Sequence, residues 1–325
     1  MGRAGEVSLS PSSSSVGRGE STKANTTPMS VYRTLDPARR ETVNALSFDV
    51  EDYFQVQAFA DVCDRAAWER FEPRVERNTN LILDLLNQHN TRATFFTLGW
   101  IAERYPAIVA RIVADGHELA SHGYAHHRVD GQTPAAFRAD VARTKKILED
   151  VGQVPIGGYR AATFSVGPTT PWAFKVLEEE GHAYSSSVYP VAHDNYSNPD
   201  APRFAYRPEG TTRLWEYPIS TIRIAGRNIP CGGGGYFRFA PYMAFRRAIA
   251  HINRRELQPA VFYLHPWEVD PGQPRPPGVK LKSRLRHYLN LSRTVPRLTR
   301  LLRDFRWDRM DRVFANTTQG ASTAT

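Results

Sequence analysis

The chain has 325 residues, 41% of them hydrophobic and 23% charged, with a net charge of +9. That is enough chain to bury a sizeable core, as one large domain or two ordinary ones, and no stretch approaches the roughly 18 apolar residues of a membrane-spanning helix. The two cysteines, Cys63 and Cys231, lie outside any CxxC pair, which excludes a disulfide framework and points to a reducing compartment.

In chain order, residues 1–40 come first and contain SLSPSSSSVGRGESTKANTTP, a Ser/Thr/Gly-rich stretch without aromatics. Such a composition cannot offset its own ordering, so a disordered tail is predicted here and again over 316–325. The tail lacks the 7–15-residue apolar core of a secretory signal, and a cytoplasmic protein is expected. VNALSFDV then reads as a buried strand, ERNTNLILDLLNQHN as a helix and ATFFTLG as a second strand. Ile101, Tyr105, Ile108, Ile112 and Val113 recur at helical spacing up to a stop at Asp115-Gly116. HELAS is a short strand. Phe137, Val141, Thr144 and Leu148 mark another helix, and Phe245, Ile249 and Ile252 a later one before the strand AVFYLH. This βαβα rhythm predicts an α/β fold with a parallel sheet closed by helices, either a barrel or a doubly wound sheet.

DPGQPRPPG separates that core from the basic segment KLKSRLRHYLNLSRTVPRLTRLLRDFRWDRMDR. A basic run can meet nucleic acid or an anionic surface. No nucleic-acid-binding motif accompanies it, so it reads as the solvated face of amphipathic helices. The expected division is a catalytic barrel over 41–272 and a basic helical extension packed on it over 273–315.

Ligands gather at the C-terminal ends of parallel strands, and the polar clusters fall there: SFDVEDYF, SHGYAHH, YRAATFS and LHPWEVDP. GHELASHGYAHHRV holds four of the ten histidines, among them His122 and His126. Their spacing puts both imidazoles on one face of a helical turn, a zinc-chelating arrangement. Asp49 and Glu51, two apart, project to the same side of a strand, with Asp52 just beyond. One carboxylate with two histidines makes a site with open positions, the pattern of a catalytic zinc or related divalent ion. A carboxylate left off the metal can take a proton from water. Asp52 could equally cap the next helix, whereas Asp49 inside ALSFDV is costly to bury without a partner.

SFDVED, ATFFTLGW, GHELASHGYAHH, YRAATFS and YLHPWE follow the motif order of the NodB-type polysaccharide deacetylases (carbohydrate esterase family 4-like), and the chain resembles that family over roughly residues 42–310. EYPIST, CGGGGYFRFAPY and YSSSVYPVAHDNYSNPDAPRFAYRP are similar to the subgroup found with exosortase-type exopolysaccharide loci. The resemblance implies a distorted (β/α) barrel of seven strands that removes N-acetyl groups from amino sugars with a divalent metal, Zn2+ first and Co2+, Ni2+ or Mn2+ as alternatives. It implies Asp49 as general base, His122 and His126 as metal ligands, Arg160 as the partner holding Asp49 charged, and His265 as general acid.

Three positions depart from the family pattern. Adjacent aspartates are replaced by Asp49-Val50-Glu51-Asp52, so the acidic ligand is Glu51, favoured by strand alternation, or Asp52 as runner-up. Ala162 stands in place of a proline after the arginine, which loosens that loop. Ser185 stands where the subgroup commonly has aspartate; either its lack of charge weakens the site or Glu216 tunes His265. CGGGGYFRF lacks the Lys-Ser/Thr of a phosphate loop and reads as a flexible substrate-side loop that offers Tyr236, Phe237 and Arg238 to a sugar, with Trp267 and Glu268 lining the groove. The expected activity is N-deacetylation of a glycan or its lipid-linked precursor in exopolysaccharide biosynthesis. The alternatives are a small-molecule C–N hydrolase on the same scaffold or a catalytically impaired glycan-binding protein. The expected partner is an N-acetylated glycan and not nucleic acid, with peripheral membrane contact left open and the oligomeric state undetermined.

Overall fold

The computed structural model describes residues 42–194 and 198–315; the expected tails, 1–40 and 316–325, lie outside the described residues. Ten strands are present in this part of the chain: β1 (Val43–Val50), β2 (Thr94–Thr97), β3 (Glu118–Ser121), β4 (Gly158–Tyr159), β5 (Tyr184–Ser185), β6 (Trp215–Glu216), β7 (Thr221–Ile224), β8 (Arg227–Pro230), β9 (Val261–Leu264) and β10 (Arg306–Asp308). β1 to β6 pair in sequence order, and β9 and β10 both pair with β1; every one of these pairings is parallel. β7 and β8 form a separate antiparallel hairpin. The seven expected barrel strands are thus β1 to β6 and β9, and β10 joins them as an eighth.

The period of two along each strand sorts the core into two layers. Leu46, Phe48 and Val50 of β1, with Phe95, Leu119, Phe262 and Leu264, pack outward against the helices. Ala45, Phe96, Ala120, Val261 and Tyr263 point inward and pack with Met310 and Phe314. Ser47 and Asp49 share the inward side of β1. Removing a buried ring from either layer, as in Phe48→Ala, costs about 3–5 kcal/mol.

Helix Pro134–Gly152 buries Phe137, Val141, Thr144 and Leu148, the four residues whose spacing marks it. Thr133 caps its start by accepting from the Ala136 amide, and Gln153 ends it in the left-handed conformation. The helix expected across 101–113 is instead two, Gly99–Arg104 and Pro106–Ala114. Pro106 cannot donate a backbone hydrogen bond and opens the second helix at its first turn.

Among the described residues β6 and β9 do not pair. On that side β9 is flanked by the glycine run, where the Tyr263 amide donates to Gly232 O (2.8 Å) and Gly233 forms a parallel bridge with Tyr263. A Cβ on Gly233 would lie 1.9 Å from Tyr263 O, and its φ is +115°, so only glycine fits. This corrects the expectation of a flexible loop: Gly232 and Gly233 lie against β9, and the last two glycines of the run open helix Gly234–Phe239.

The C-terminal segment also departs from the expectation of helices alone. It contains helices Leu281–Tyr288 and Thr294–Asp304, then adds β10 and closes the floor of the barrel with Met310–Val313. There the Met310 amide donates to Thr94 Oγ1 (2.8 Å), the Asp311 amide donates to Glu118 Oε2 (3.2 Å), and the Phe314 and Tyr217 rings stack at 4.0 Å.

Candidate active site

Asp49 and Glu51 at the end of β1, His122 and His126 after β3, Arg160 after β4 and His265 after β9 all lie at the C-terminal end of the sheet. Arg160 is fully buried, a position a guanidinium tolerates only with its donors engaged. Nη1 donates to Asp49 Oδ1 (2.6 Å) and Ser47 Oγ (2.8 Å), Nε to Ser186 O (3.0 Å) and Nη2 to Ser186 Oγ (2.9 Å). Phe96 packs its ring 4.1 Å from the guanidinium carbon, a favourable cation–π contact. Asp49 is therefore held through one oxygen, and its Oδ2 faces His265.

The two histidines do not share a helical turn. Residues 122–128 are an irregular loop, with Gly123 at φ +72° and His126 at φ +52°. Gly123 has no room for a side chain, because a Cβ would sit 2.9 Å from Asp140 Oδ2, and Asp140 accepts from the Tyr124 amide. Arg65 fixes the far end by donating to the carbonyls of Ala125 (2.8 Å) and His126 (2.9 Å). The sequence spacing thus predicts the meeting of the imidazoles but the wrong backbone for it; their ring centres are 5.3 Å apart.

Glu51, His122 and His126 each offer one ligand atom within 4.8 Å of the other two, and all three are buried. His122 Nδ1 lies 2.8 Å from Arg160 O; a carbonyl only accepts, so Nδ1 carries the proton and Nε2 keeps a free lone pair. That is how a metal-binding histidine is oriented by a second partner. Burial holds the His122 pKa down at about 4, which keeps the ring neutral. Glu51 Oε2 lies 2.9 Å from His126 Nε2, yet without the alignment of a hydrogen bond, and has no other partner. Burial opposes charge on Glu51, but His126, His265 and His122 together bring its pKa down to about 2. A buried, ionised, under-bonded carboxylate facing two imidazoles fits a divalent cation. Asp52 turns away from this cluster. Its Oδ1 accepts from the Tyr53 amide, capping the 3-10 turn Tyr53–Gln55 as its position allows, and its Oδ2 accepts from the Arg74 and Val75 amides at 2.6 and 2.9 Å, tying down the start of helix Val75–Gln88.

His265 Nε2 lies 3.9 Å from Asp49 Oδ2 and 3.6 Å from Glu51 Oε1, while Nδ1 is 2.8 Å from Glu268 Oε1. Glu268 Oε2 in turn accepts from Arg238 Nε at 2.6 Å. Burial disfavours the imidazolium, but the Glu268 hydrogen bond and then the charges of Glu51, Glu268 and Asp49 raise the His265 pKa to about 9. Arg238 and Glu268 were expected to meet substrate. Both are instead buried beneath His265, because each neutralises the other there. Arg238 Nη1 also donates to the carbonyls of His287 (2.9 Å) and Leu289 (2.7 Å), capping the C-terminal end of helix Leu281–Tyr288. Trp267 stacks on His265 at 5.0 Å and donates from Nε1 to Glu51 Oε1 at 3.2 Å.

Behind Trp267 lies a residue that no motif marks: His287 stacks on it at 4.0 Å, with Nε2 2.7 Å from Gln273 Oε1. Glu216, proposed as a tuner of His265, accepts instead from the Ser187 and Val188 amides. Ser185 Oγ donates to Ser187 Oγ at 2.8 Å. Ala162 is buried, and the loop it was expected to loosen is a short 3-10 turn, Ala162–Phe164. Tyr236 is half-buried and edge-on to Tyr189 and His193. A cavity of about 280 Å³ is lined by Gln55, Asp64, Trp68 and Arg65, whose guanidinium also holds the His126 carbonyl, but by none of the six residues at the mouth. Gln55 Nε2 and Trp68 Nε1 are buried donors without partners.

Comparison with known proteins gives two adjoining family matches: polysaccharide deacetylase over residues 60–183 and a domain of unknown function (DUF3473) over residues 186–315. A peptidoglycan-N-acetylglucosamine deacetylase of Bacillus cereus is 43% identical over 70 residues, covering 22% of this chain and 26% of that protein. A chitooligosaccharide deacetylase of Bradyrhizobium sp. is 27% identical over 108 residues, covering 33% of this chain and 47% of that protein. The chain thus spans less than half the length of these curated relatives. The fold is shared with the crystal structure of a Mycobacterium smegmatis protein assigned to the polysaccharide deacetylases, with a TM-score of 0.57 at 20% identity, over 89% of this chain and 93% of that one.

Proposed function

We propose that this chain, whose residues 60–183 match the polysaccharide deacetylase family model, is a metal-dependent N-deacetylase acting on N-acetylated amino sugars of a polysaccharide or its lipid-linked precursor. The observation that carries the reading is the convergence of Glu51, His122 and His126 with Asp49 and His265 at one barrel mouth. Glu51, His122 and His126 would hold the ion, most simply Zn2+, which when bound polarises the acetamide carbonyl and acidifies water.

The remaining work falls to the chain's own groups. Asp49, fixed through Oδ1 by Arg160, takes the proton of the attacking water on Oδ2. His265 delivers a proton from Nε2 to the departing amine, its Nδ1–H being committed to Glu268. The products are acetate and a free amino sugar. Similarity of the glycine and YSSSVYP regions to the exopolysaccharide-associated subgroup supports a role in exopolysaccharide biosynthesis. Acetate release from a panel of acetylated glycans, with metal content measured on the same preparation, tests the reading. No release from any glycan by metal-loaded, folded protein would overturn it.

A further inference from the structure

Helix Leu281–Tyr288 presents two unlike faces. Its inner face buries His287 against Trp267. Its outer face leaves Leu281 71%, Leu285 59% and, at the C-cap, Leu289 38% exposed. At 100° per residue these three leucines form a stripe about 80° wide. Lys282 and Arg286 flank it on one side and Arg284 on the other. Asn290 Nδ2 and the Leu289 carbonyl both hydrogen-bond to Arg238, which sets Phe239, 74% exposed, beside the end of the stripe. Residues 273–303 hold nine Lys or Arg and no Asp or Glu. Lys280, Lys282 and Arg286 pair with Asp61 and Asp194 in exposed contacts, which are worth little and yield readily. Arg284, Arg293 and Arg303 have no acidic partner among the described residues.

We infer that this outer face docks on an anionic lipid bilayer surface. A leucine stripe edged by cations is the composition of a helix lying in the headgroup region, where apolar burial and attraction to anionic lipid act together. A second copy of the chain would bring a like-charged rim against this one, so charge complementarity favours lipid over self-association. The inner face of the same helix supports Trp267 and, through it, His265, so the docked helix is also the one packed behind these two residues. The inference goes beyond the deacetylase reading and does not depend on it.

Flotation of the full-length protein with vesicles of phosphatidylcholine alone, or of phosphatidylcholine mixed with phosphatidylglycerol, tests it without measuring turnover. The expected result is association with the mixed vesicles only, weakened by salt. L281S/L285S should reduce it at least about tenfold, since exposed leucines supply the apolar part of the binding. R284E/R293E should reduce it and weaken its salt dependence. Both variants should keep the wild-type melting temperature. Equal association with both vesicle types, no association at low salt, or flotation untouched by L281S/L285S would overturn the proposal. A solution dimer that L281S/L285S converts to monomer would also overturn it, because the stripe would then serve a second copy.

Discussion

Both ends of the barrel bury carboxylates, and they treat them in opposite ways. At the mouth, three histidines surround Glu51 and pull its pKa down to about 2 against the cost of burial. At the floor, burial and the neighbouring Asp311 push Glu118 up to about 7, although Thr94, Tyr184 and the Asp311 amide all donate to it. The three donors at the floor favour the Glu118 carboxylate but are outweighed by burial and the Asp311 charge, whereas at the mouth the surrounding histidines outweigh burial. The mouth is thus built to keep an anion available for a cation. The floor is built to seat a carboxyl group that can stay protonated.

The largest effects should fall at the mouth. Chelation, or His122→Ala, should abolish acetate release while leaving the far-UV spectrum unchanged; full turnover in verified metal-free protein would remove the metal cluster from the account. Asp49→Asn should keep the metal and lower kcat by about 10²–10⁴, the usual worth of a general base. Near-normal turnover at saturating substrate would reassign that role.

Glu268→Gln tests the support beneath the general acid. The raised pKa keeps His265 protonated below about 9, so activity that needs its proton should fall above that range. A bound cation neutralises Glu51 and moves this limb lower. Removing the Glu268 charge should move it lower still, and Glu268→Asp should restore part of the shift, as read from kcat against pH. The substitution also leaves Arg238 buried without its counter-ion, which typically costs about 3–5 kcal/mol, so melting temperatures belong beside the kinetics.

The smallest effect is expected at the floor. Glu118→Gln should leave turnover unchanged and alter only how stability depends on pH. A carboxyl group whose folded pKa is raised stabilises the fold below its unfolded value, 4.5, and loses that contribution as pH rises through about 7. Urea unfolding should therefore show the variant gaining on the parent between pH 5 and 8. A variant that instead falls further behind the parent over this range would contradict the inverted environments of the two ends.

Much of the mouth was legible because strand alternation and strand-end position are local properties. Asp49 and Glu51 two apart, and polar clusters after apolar runs, survive translation into three dimensions. The helix marked by Phe137, Val141, Thr144 and Leu148 did so for the same reason. Arg238 and Glu268 were misplaced because their partnership spans 30 residues and is decided by burial, which a sequence window does not contain. The glycine run was misread because its conformational freedom serves a close approach to Tyr263 and not motion. β10, three residues long and embedded in basic helical sequence, carries no periodic signal of its own.

The two family matches meet across residues 183–186, on β5 itself, inside one hydrogen-bonded sheet. Grafting the first matched segment alone onto another scaffold would strip Arg160 of Ser47, Asp49 and Ser186, leaving a buried guanidinium stranded. Grafting the second alone would carry His265 and Glu268 without the β1 strand on which β9 is laid down. The seam between the matches is therefore a boundary in sequence classification and not a place to cut. Any chimera or split reporter built from this protein should keep β1 through Met310–Val313 in one piece.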